Sequence, residues 1–424
     1  MTIPFQRHLT TFVTLLFLSP TLLHAQQHEV LSEHIKTLRL LVDDDWLSPL
    51  PVVSLNGSST LSISFDDLTH DYHRYVYHLE RCEPDWQPSQ DVFESDWLEG
   101  FNDNVVEDDN LESMNTHVLY NHYEIRFPNS RCRIRRSGNY RLSIFDDDDD
   151  ADHTQPLLTA CFMVVEPRMG TSLRVTTDTD ADVRKSHQQV ELNVSYGSQR
   201  VSDPAGQVKV VVLQNGRWDN AVFFPSPTYV LPQELRWTHH RSLIFPAGNE
   251  YLKFEMTGTH DIGMNIDRTF FSDDAYHAQL FTVPERRSYT YDEDADGCFL
   301  IRNADYDDSD RLCDYEWVHY SVQSPPADGR VYVNGVWTCG AFTPEFELQY
   351  NEQAQCYIGS VLQKQGYYSY QFLLRRPDGT TTFLPSQGSF FQTQNKYQAL
   401  VYYRGPSQRT YDLVGYCQVS FKGA

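Results

Sequence analysis

The stretch HYEIRF at residues 122–127 has an apolar side chain at every second position and a polar one in each place between. Successive side chains of an extended strand point to opposite faces, so this pattern is typical of a strand with one face buried. The same alternation recurs at residues 61–65, 140–144, 190–194, 252–256, 346–350 and 368–372. The sequence therefore predicts a protein built mainly from short, half-buried strands.

Turn signals separate these strands. Asn or Asp followed by Gly readily adopts the positive-φ backbone of a tight hairpin turn, and such pairs occur at 56–57, 215–216, 334–335 and 378–379. Only residues 30–41 have a helix-like spacing of apolar positions, and that segment could equally form a strand. Many short strands with little helix predict an all-β fold of tandem β-sandwich domains, immunoglobulin-like or early-set-like.

The first 25 residues have the composition of an export signal. Arg7 precedes an apolar run from Leu9 to Leu18, Pro20 follows, and Ala25 supplies a small residue at the expected cleavage point. This order of charge, apolar core and small residue predicts a secretory signal peptide. The apolar run is shorter than the roughly 20 residues that span a membrane. We therefore expect an exported, soluble chain without direct membrane insertion.

A chain of 424 residues exceeds one ordinary domain. Two breaks in the strand pattern suggest boundaries, one at Pro167 and the following Met169-Gly170, the other in the acidic stretch from Asp292 to Asp314. We expect a signal peptide at 1–25, an N-terminal β-sandwich domain at 26–168, a middle β domain at 169–312 and a C-terminal early-set-like domain at 313–424.

Charge and cysteine content exclude several classes of protein. The formal net charge of −24 repels phosphate backbones and no basic stripe offsets it, so nucleic acid is not an expected partner. Eight cysteines occur without any CxxC pair, at positions 82, 132, 161, 298, 313, 339, 356 and 417. That spacing argues against a structural zinc site and a thioredoxin-like redox site. Disulfides and buried free thiols are equally open alternatives.

Several segments, taken in order, resemble one protein family. Between residues 35 and 166 they are SFDDL at 64–68, ERC at 80–82 followed by Asp85-Trp86, WLEGF at 97–101, SMNT at 113–116, YNHY at 120–123, FPN at 127–129 and SGNY at 137–140. Near the end of the chain, KQGYYSY at 364–370 and DLVGY at 412–416 add to the set. Each segment alone is common in β-proteins, but the ordered set resembles the plug protein family of the type IX secretion system. Residues 170–290 match least well.

This resemblance implies a non-enzymatic periplasmic protein, peripherally associated with the outer-membrane translocon barrel of the type IX system. In that family's scheme the plug reversibly occludes the periplasmic opening of the barrel by protein–protein contact, with no cofactor. Trp86, Trp97 and Phe101 bring large aromatic side chains next to turn residues, so we expect them to bind the partner. The alternative is that the two tryptophans pack beneath their own loops.

One acidic turn has part of the pattern of a calcium loop. Asp292, Asp294 and Asp296 precede Gly297 with the spacing of such a loop's first half. The twelfth position is Asn303 rather than glutamate, and the residues that follow predict a strand rather than a helix. The three aspartates are therefore weak calcium candidates, and an acidic hairpin turn is the alternative.

The stretch from Gly329 to Trp337, with the tyrosines at 367, 368 and 370, looks like an early-set module of the kind that binds starch-like glycans. Glycan binding in the cell envelope is therefore the alternative function, with Trp337 and these tyrosines stacking on sugar rings. The chain contains no GxSxG, HExxH, P-loop or dinucleotide-binding motif. We therefore expect no catalytic residues.

Overall fold

The computed structural model describes residues 28–423 except 91, 107–110, 149 and 151. The predicted signal peptide at 1–25 lies outside the described residues. In the described ranges every helix spans only three or four residues. None of these helices is long and apolar enough to cross a membrane.

Strands account for nearly all the regular structure. In chain order the first are β1 (Glu29–Val30), β2 (Ile35–Val42), β3 (Val52–Ser54), β4 (Leu61–Asp67), β5 (Tyr75–Cys82), β6 (Leu98–Gly100), β7 (Asp103–Val105), β8 (Leu111–Glu112), β9 (Asn121–Phe127), β10 (Cys132–Ile134), β11 (Gly138–Asp146) and β12 (Leu158–Val165). Next come β13 (Gly170–Thr176), β14 (His187–Ser195), β15 (Val208–Gln214), β16 (Arg217–Phe223), β17 (Tyr229–Leu231), β18 (Glu234–Trp237), β19 (Ile244–Pro246) and β20 (Leu252–Met256). The last are β21 (Ile266–Ser272), β22 (Ala275–Leu280), β23 (Phe299–Ile301), β24 (Tyr315–Gln323), β25 (Arg330–Asn334), β26 (Glu347–Asn351), β27 (Cys356–Lys364), β28 (Gly366–Arg375), β29 (Thr381–Phe383), β30 (Asn395–Tyr403) and β31 (Asp412–Phe421). The helices are α1 (Pro204–Gln207), α2 (Ser309–Leu312) and 3-10 turns at Glu94–Asp96, Arg241–Leu243, Val336–Thr338, Pro344–Phe346 and Pro385–Gln387.

The first sandwich, residues 29–165, packs two sheets face to face. One has the strand order β1-β12-β11-β5-β7 with β3 beside β12, and the other has the order β2-β4-β9-β8. Alternate residues of these strands, such as Phe65, Tyr123 and Leu142, form the core between the sheets, as the alternation in the sequence predicts. The opposite face of β4 is buried as well, because Asp66 on that face contacts Lys364 of the third sandwich.

The second sandwich combines two distant parts of the chain. Its first sheet has the order β13-β14-β18-β17, with β19 also paired to β14. Its second sheet has the order β16-β15-β30-β31, so the last two strands of the described chain complete it. Val210 of β15 lies opposite Val401 of β30, and both side chains are at most 1% exposed.

The third sandwich is a ten-stranded sheet that surrounds its own core. The strand order is β20-β28-β25-β26-β27-β24-β22-β21, with β23 and β29 also paired to β28. Strands β20 and β23 precede residue 312, and they pair with β28, which follows it. The predicted division at 312/313 therefore does not separate two sheets. Local composition marks a loop there, whereas strand pairing depends on contacts between residues far apart in sequence.

The all-β, sandwich-type architecture predicted from the alternation is confirmed. The segment with an ambiguous spacing, residues 30–41, contributes to strands β1 and β2 rather than to a helix. Strand β2 carries a register irregularity between Lys36 and Arg39, where Thr37 adopts a positive φ of 53°. An irregularity of this kind shifts the alternation by one residue, which explains why the segment lacks a clean two-residue period.

None of the eight cysteines, all of which lie among the described residues, forms a disulfide, and six of them are buried. Burial raises the pKa of the Cys82, Cys298 and Cys313 thiols to about 12. These groups are therefore neutral at ordinary pH and pack as small apolar side chains. Of the two alternatives left open by the sequence, the structure has the free thiols.

Glu316 in the third sandwich makes stability depend on pH. Its side chain is 1% exposed, its Oε1 accepts a hydrogen bond from Gln365 at 2.9 Å, and burial raises its pKa from 4.5 to about 7. The pKa of Glu316 is higher in the folded than in the unfolded state, so the folded protein favours the protonated carboxyl. The stability that this protonation contributes is complete below pH 4.5 and is lost as the pH rises to about 7.

We expect Glu316→Gln to remove that dependence, which amounts to about 3 kcal/mol across this window. Urea unfolding at several pH values between 4.5 and 7.5 measures it. Glu352→Gln, in an exposed turn, serves as the control and should retain the wild-type slope. If Glu316→Gln retains that slope too, Glu316 does not titrate in this window.

Candidate partner-docking surface

Two phenylalanines on the first sandwich are among the most exposed large apolar side chains of the described residues. Phe93 is 74% exposed and Phe101 is 77% exposed. Between them the chain forms the 3-10 helix Glu94–Asp96 and strand β6. We call residues 93–101 the Phe93–Phe101 segment. Of the three predicted partner-binding residues, only Phe101 has an outward-facing side chain.

Backbone contacts hold both ends of this segment in place. The Phe93 N–H donates to the Asp96 carboxylate at 3.1 Å, and the Phe101 N–H donates to the Arg131 carbonyl at 3.2 Å. Gly100 adopts φ +102°, and a Cβ at this position would lie 2.1 Å from the Arg131 carbonyl oxygen. Glycine alone fits such a close approach at positive φ. Strand β6 can therefore pair with β10 and leave Phe101 at the surface.

Trp97 and Asn102 anchor the segment to the sandwich. Trp97 is 6% exposed, and the centroid of its ring lies 5.6 Å from that of Tyr140 in the core. The Asn102 side chain exchanges hydrogen bonds of 2.8 and 2.9 Å with the Leu79 backbone and donates to the Glu94 carboxylate at 2.7 Å. Trp97 therefore supports the segment from inside. It offers no surface to a partner, in agreement with the packing alternative.

Trp86 is also inside the molecule. Its side chain is 2% exposed and lies at the junction of the first and second sandwiches, where its ring meets Trp218 edge-on at 5.6 Å. The Arg141 guanidinium donates to its carbonyl oxygen at 3.1 Å. The prediction that Trp86 contacts a partner is wrong, because the second sandwich covers its loop. The sequence alone did not show that this loop is covered.

A buried ion pair joins the first and third sandwiches. Lys364 Nζ lies 2.7 Å from Asp66 Oδ2, and both side chains are at most 1% exposed. Tyr315 donates its hydroxyl to the same oxygen at 2.6 Å, and His122 Nδ1 lies 2.6 Å from the other one. The ammonium group also lies 4.0 Å from the centre of the Tyr120 ring. Burial by itself raises the pKa of Asp66, but Lys364 and the hydrogen bond from His122 lower it to about 2.

A second charged cluster joins the first and second sandwiches. Asp412 is 4% exposed and accepts hydrogen bonds from Arg136 at 2.6 Å, Arg168 at 2.7 Å and Gln408 at 2.8 Å. Arg81, which is 2% exposed, adds a contact of 3.3 Å to the same carboxylate. One carboxylate is thus a shared counter-ion for three guanidinium groups, and Glu83 and Glu166 add negative charge beside Arg81 and Arg168.

Sequence reasoning missed these junction residues. Asp66, Arg81, His122, Lys364 and Asp412 all lie in segments that carry the family resemblance, yet their role there was not inferred. The signal that could have identified them is the presence of ionisable residues within predicted strands. A charge that is buried in a strand needs a partner. Which acid pairs with which base is not visible locally, because the partners are far apart in sequence; Asp66 and Lys364, for example, are separated by 298 residues.

The three calcium candidates do not converge. Asp292 pairs with Lys253 at 2.7 Å, and Asp296 pairs with Lys396 at 3.1 Å. Asp294 accepts two backbone N–H groups at 2.6 and 2.7 Å, and burial with the neighbouring Asp296 charge raises its pKa to about 8. Each carboxylate therefore has its own partner. Within the ranges that the structure describes, no three His, Cys, Asp or Glu side chains are grouped to hold a metal ion.

The four rings named for a glycan platform do not share one exposed surface, since only Trp337 and Tyr367 are partly exposed. Tyr368 and Tyr370 are 2% and 4% exposed and lie in the core of the third sandwich. The Trp337 ring packs 5.7 Å from Tyr368 and 5.9 Å from Phe346, and its Nε1 donates to the Ser369 carbonyl at 3.2 Å. Trp337 therefore packs edge-on against neighbouring rings, and these residues do not support glycan binding.

Comparisons with known proteins identify a family for the part of the chain that forms the first sandwich. Residues 35–166 match the model of the type 9 secretion system plug protein 1st domain. A crystal structure of a hypothetical protein from Parabacteroides merdae is 35% identical, with a TM-score of 0.89 over 93% of this chain and 99% of that one. No curated protein matches. Residues 35–166, which include most of the first sandwich, therefore belong to the type IX secretion system plug protein family as its first domain.

Proposed function

We propose that this protein is a periplasmic plug of the type IX secretion system. In this proposal it reversibly occludes the periplasmic opening of the outer-membrane translocon barrel and catalyses no reaction. The first sandwich docks on the barrel through the Phe93–Phe101 segment. Export by the signal peptide at 1–25 delivers the chain to the periplasm, where it associates peripherally with the membrane-embedded barrel.

One observation carries the choice of docking surface. The domain that matches the family presents Phe93 and Phe101 outward at 74% and 77% exposure, while its neighbouring Trp97 is buried. Aromatic side chains are enriched at the centres of protein interfaces, where a few of them supply most of the binding energy. Because Trp97 and Asn102 hold the segment, the two rings lose little conformational entropy on binding.

The construction of the molecule suits occlusion. A plug has to keep its shape across a wide opening, and the close-packed cores of the three sandwiches resist deformation. Buried charge clusters at Asp66 and Asp412 join the first sandwich to the other two. The net charge of −24 favours approach to a basic surface and weakens non-specific contact with acidic ones.

The test is co-purification from the native envelope. Tagged mature protein is incubated with envelope extract in mild detergent, and bound proteins are identified by mass spectrometry. We expect the translocon barrel to be recovered with the wild type. The double variant Phe93→Asp/Phe101→Asp should reduce recovery at least tenfold, because loss of two central aromatic contacts costs about 2 kcal/mol or more.

Phe281→Asp provides the matched control. Phe281 is a 56% exposed phenylalanine of the third sandwich, distant in sequence from the segment, and its variant should recover the barrel like the wild type. Circular dichroism verifies that all variants fold. Recovery of no translocon by the wild type would refute the plug function. If Phe281→Asp reduces recovery of the barrel as much as the double variant does, this docking surface is refuted while the plug function is not.

A further inference from the structure

A cavity of about 320 Å³ lies where the first and third sandwiches meet. Its first wall is the beginning of the first sandwich, from strand β1 into β2, and its second wall is formed by residues of β23, β27 and β28 and of the connection at 337–346 in the third sandwich. The cavity is separate from the Phe93–Phe101 segment, since none of those residues lines it. Its volume lies within the range of small-molecule sites in proteins, about 300–1,000 Å³.

The deeper lining is apolar and aromatic. Phe299, Val361 and Tyr368 are each at most 9% exposed, and Trp337 and Phe346 form an edge-on pair at 5.9 Å beside them. All five residues line the cavity. An apolar molecule that entered would replace water against these surfaces, which is favourable in proportion to the area covered.

One ion pair in the cavity lining connects the two sandwiches. Lys36 of the first sandwich and Glu345 of the third lie 2.8 Å apart, with side-chain exposures of 19% and 41%. A partly exposed pair of this kind contributes little stability. It can therefore separate to admit a ligand without loss of the junction, which the buried Asp66–Lys364 pair maintains.

One buried donor in the lining has no partner. Gln363 is 4% exposed; its Oε1 accepts the Tyr320 hydroxyl at 2.5 Å, and its Nε2 makes no hydrogen bond to the described residues. Glu316 lies directly across on β24, but its carboxyl oxygens do not accept this hydrogen: Oε1 accepts from Gln365 at 2.9 Å, and Oε2 has no hydrogen-bond partner among the described residues. Buried polar atoms without partners are uncommon in folded proteins, so the Nε2 group calls for an acceptor from outside the chain.

We propose that this cavity binds a small, largely apolar molecule that carries one hydrogen-bond acceptor, such as a ketone or ester oxygen. The aromatic lining covers the apolar body of the ligand. The acceptor receives the hydrogen of Gln363 Nε2 at the deep end. The first sandwich forms part of the wall, so the ligand contacts both sandwiches and strengthens their association.

Prodan, a naphthalene with one ketone oxygen whose emission shifts to the blue in apolar surroundings, is the probe. We expect saturable, blue-shifted emission at one prodan per mature chain. Ala341→Trp, which places an indole in the cavity lining, should weaken binding at least tenfold, taken as about 1.4 kcal/mol. Ala354→Trp, in the exposed turn before β27, should bind like the wild type.

The role of the donor is tested with a second probe. Gln363→Leu should weaken prodan binding about tenfold while leaving 2-dimethylaminonaphthalene, which lacks the ketone, unaffected. Thermal unfolding verifies that each variant is folded. Absence of saturable binding by the wild type, or wild-type binding by Ala341→Trp, overturns the site. If the wild type and Gln363→Leu bind prodan equally well, the claim that the ligand needs an acceptor for Gln363 Nε2 is overturned.

Discussion

Lys364→Met is expected to lower the free energy of unfolding by about 3–5 kcal/mol. The substitution removes the ammonium group that lies 2.7 Å from Asp66 Oδ2, in a place where neither side chain is more than 1% exposed. The carboxylate is left buried without the ammonium group that pairs with it, and Tyr315 and His122 remain as its hydrogen-bond partners. Urea unfolding at pH 7, followed by tryptophan fluorescence, measures the loss.

Lys36→Met is the matched control, because it too removes a lysine that pairs with the opposite sandwich. The Lys36–Glu345 pair is equally short at 2.8 Å but partly exposed, so the variant should lose less than about 1 kcal/mol. A double variant, Asp66→Asn with Lys364→Met, should recover part of the stability because it removes the uncompensated charge. Equal losses from the two lysine variants would show that burial of the pair does not set its contribution.

Asp412→Asn is expected to lower the free energy of unfolding by about 3 kcal/mol. The carboxylate lies within 3.3 Å of Arg81, Arg136 and Arg168, and an amide would leave these guanidinium groups facing one another without it. The effect should centre on the junction between the first and second sandwiches. We therefore expect faster proteolytic cleavage of the connection at residues 166–169, in addition to a lower urea midpoint.

Glu99→Gln serves as the control for this cluster. Glu99 pairs with Arg135 at 2.6 Å on the surface of the first sandwich, with both side chains about half exposed. Its loss should change stability by less than about 1 kcal/mol and leave cleavage at 166–169 unchanged. If the Asp412→Asn variant is cleaved at 166–169 at the wild-type rate, the apolar contacts around Trp86 are sufficient to hold the junction.

Strand positions were predictable because alternation is a local property of an extended backbone. The stretch 122–127 lies in β9, and 252–256 coincides with β20. Strand partners were not predictable in the same way. Nothing near Val210 indicates that it lies opposite Val401, since such a pairing is selected by the packing of whole sheets. Local composition predicts a domain boundary at 312/313, but strands from both sides of that position pair with each other.

The docking candidates show the same limit at the level of single side chains. Trp97 and Phe101 lie four residues apart in one turn-rich segment, and the sequence predicts the same partner-binding role for both. In the structure Trp97 is 6% exposed and Phe101 is 77% exposed. Phe93, which the sequence did not single out, is exposed beside them. Local sequence indicates where large rings occur, but exposure depends on which other part of the chain covers them.

By itself, then, the sequence determined the strand content, the sandwich architecture and the family of this protein, because alternating side chains and short ordered segments are read along the chain. The tertiary structure alone decided how β30 and β31 complete the second sandwich and how Lys364 neutralises Asp66. It also decided that Trp86 is enclosed while Phe93 and Phe101 face outward. The physical reason is that burial and charge pairing are set by contacts between distant residues, which form only when the three sandwiches pack together.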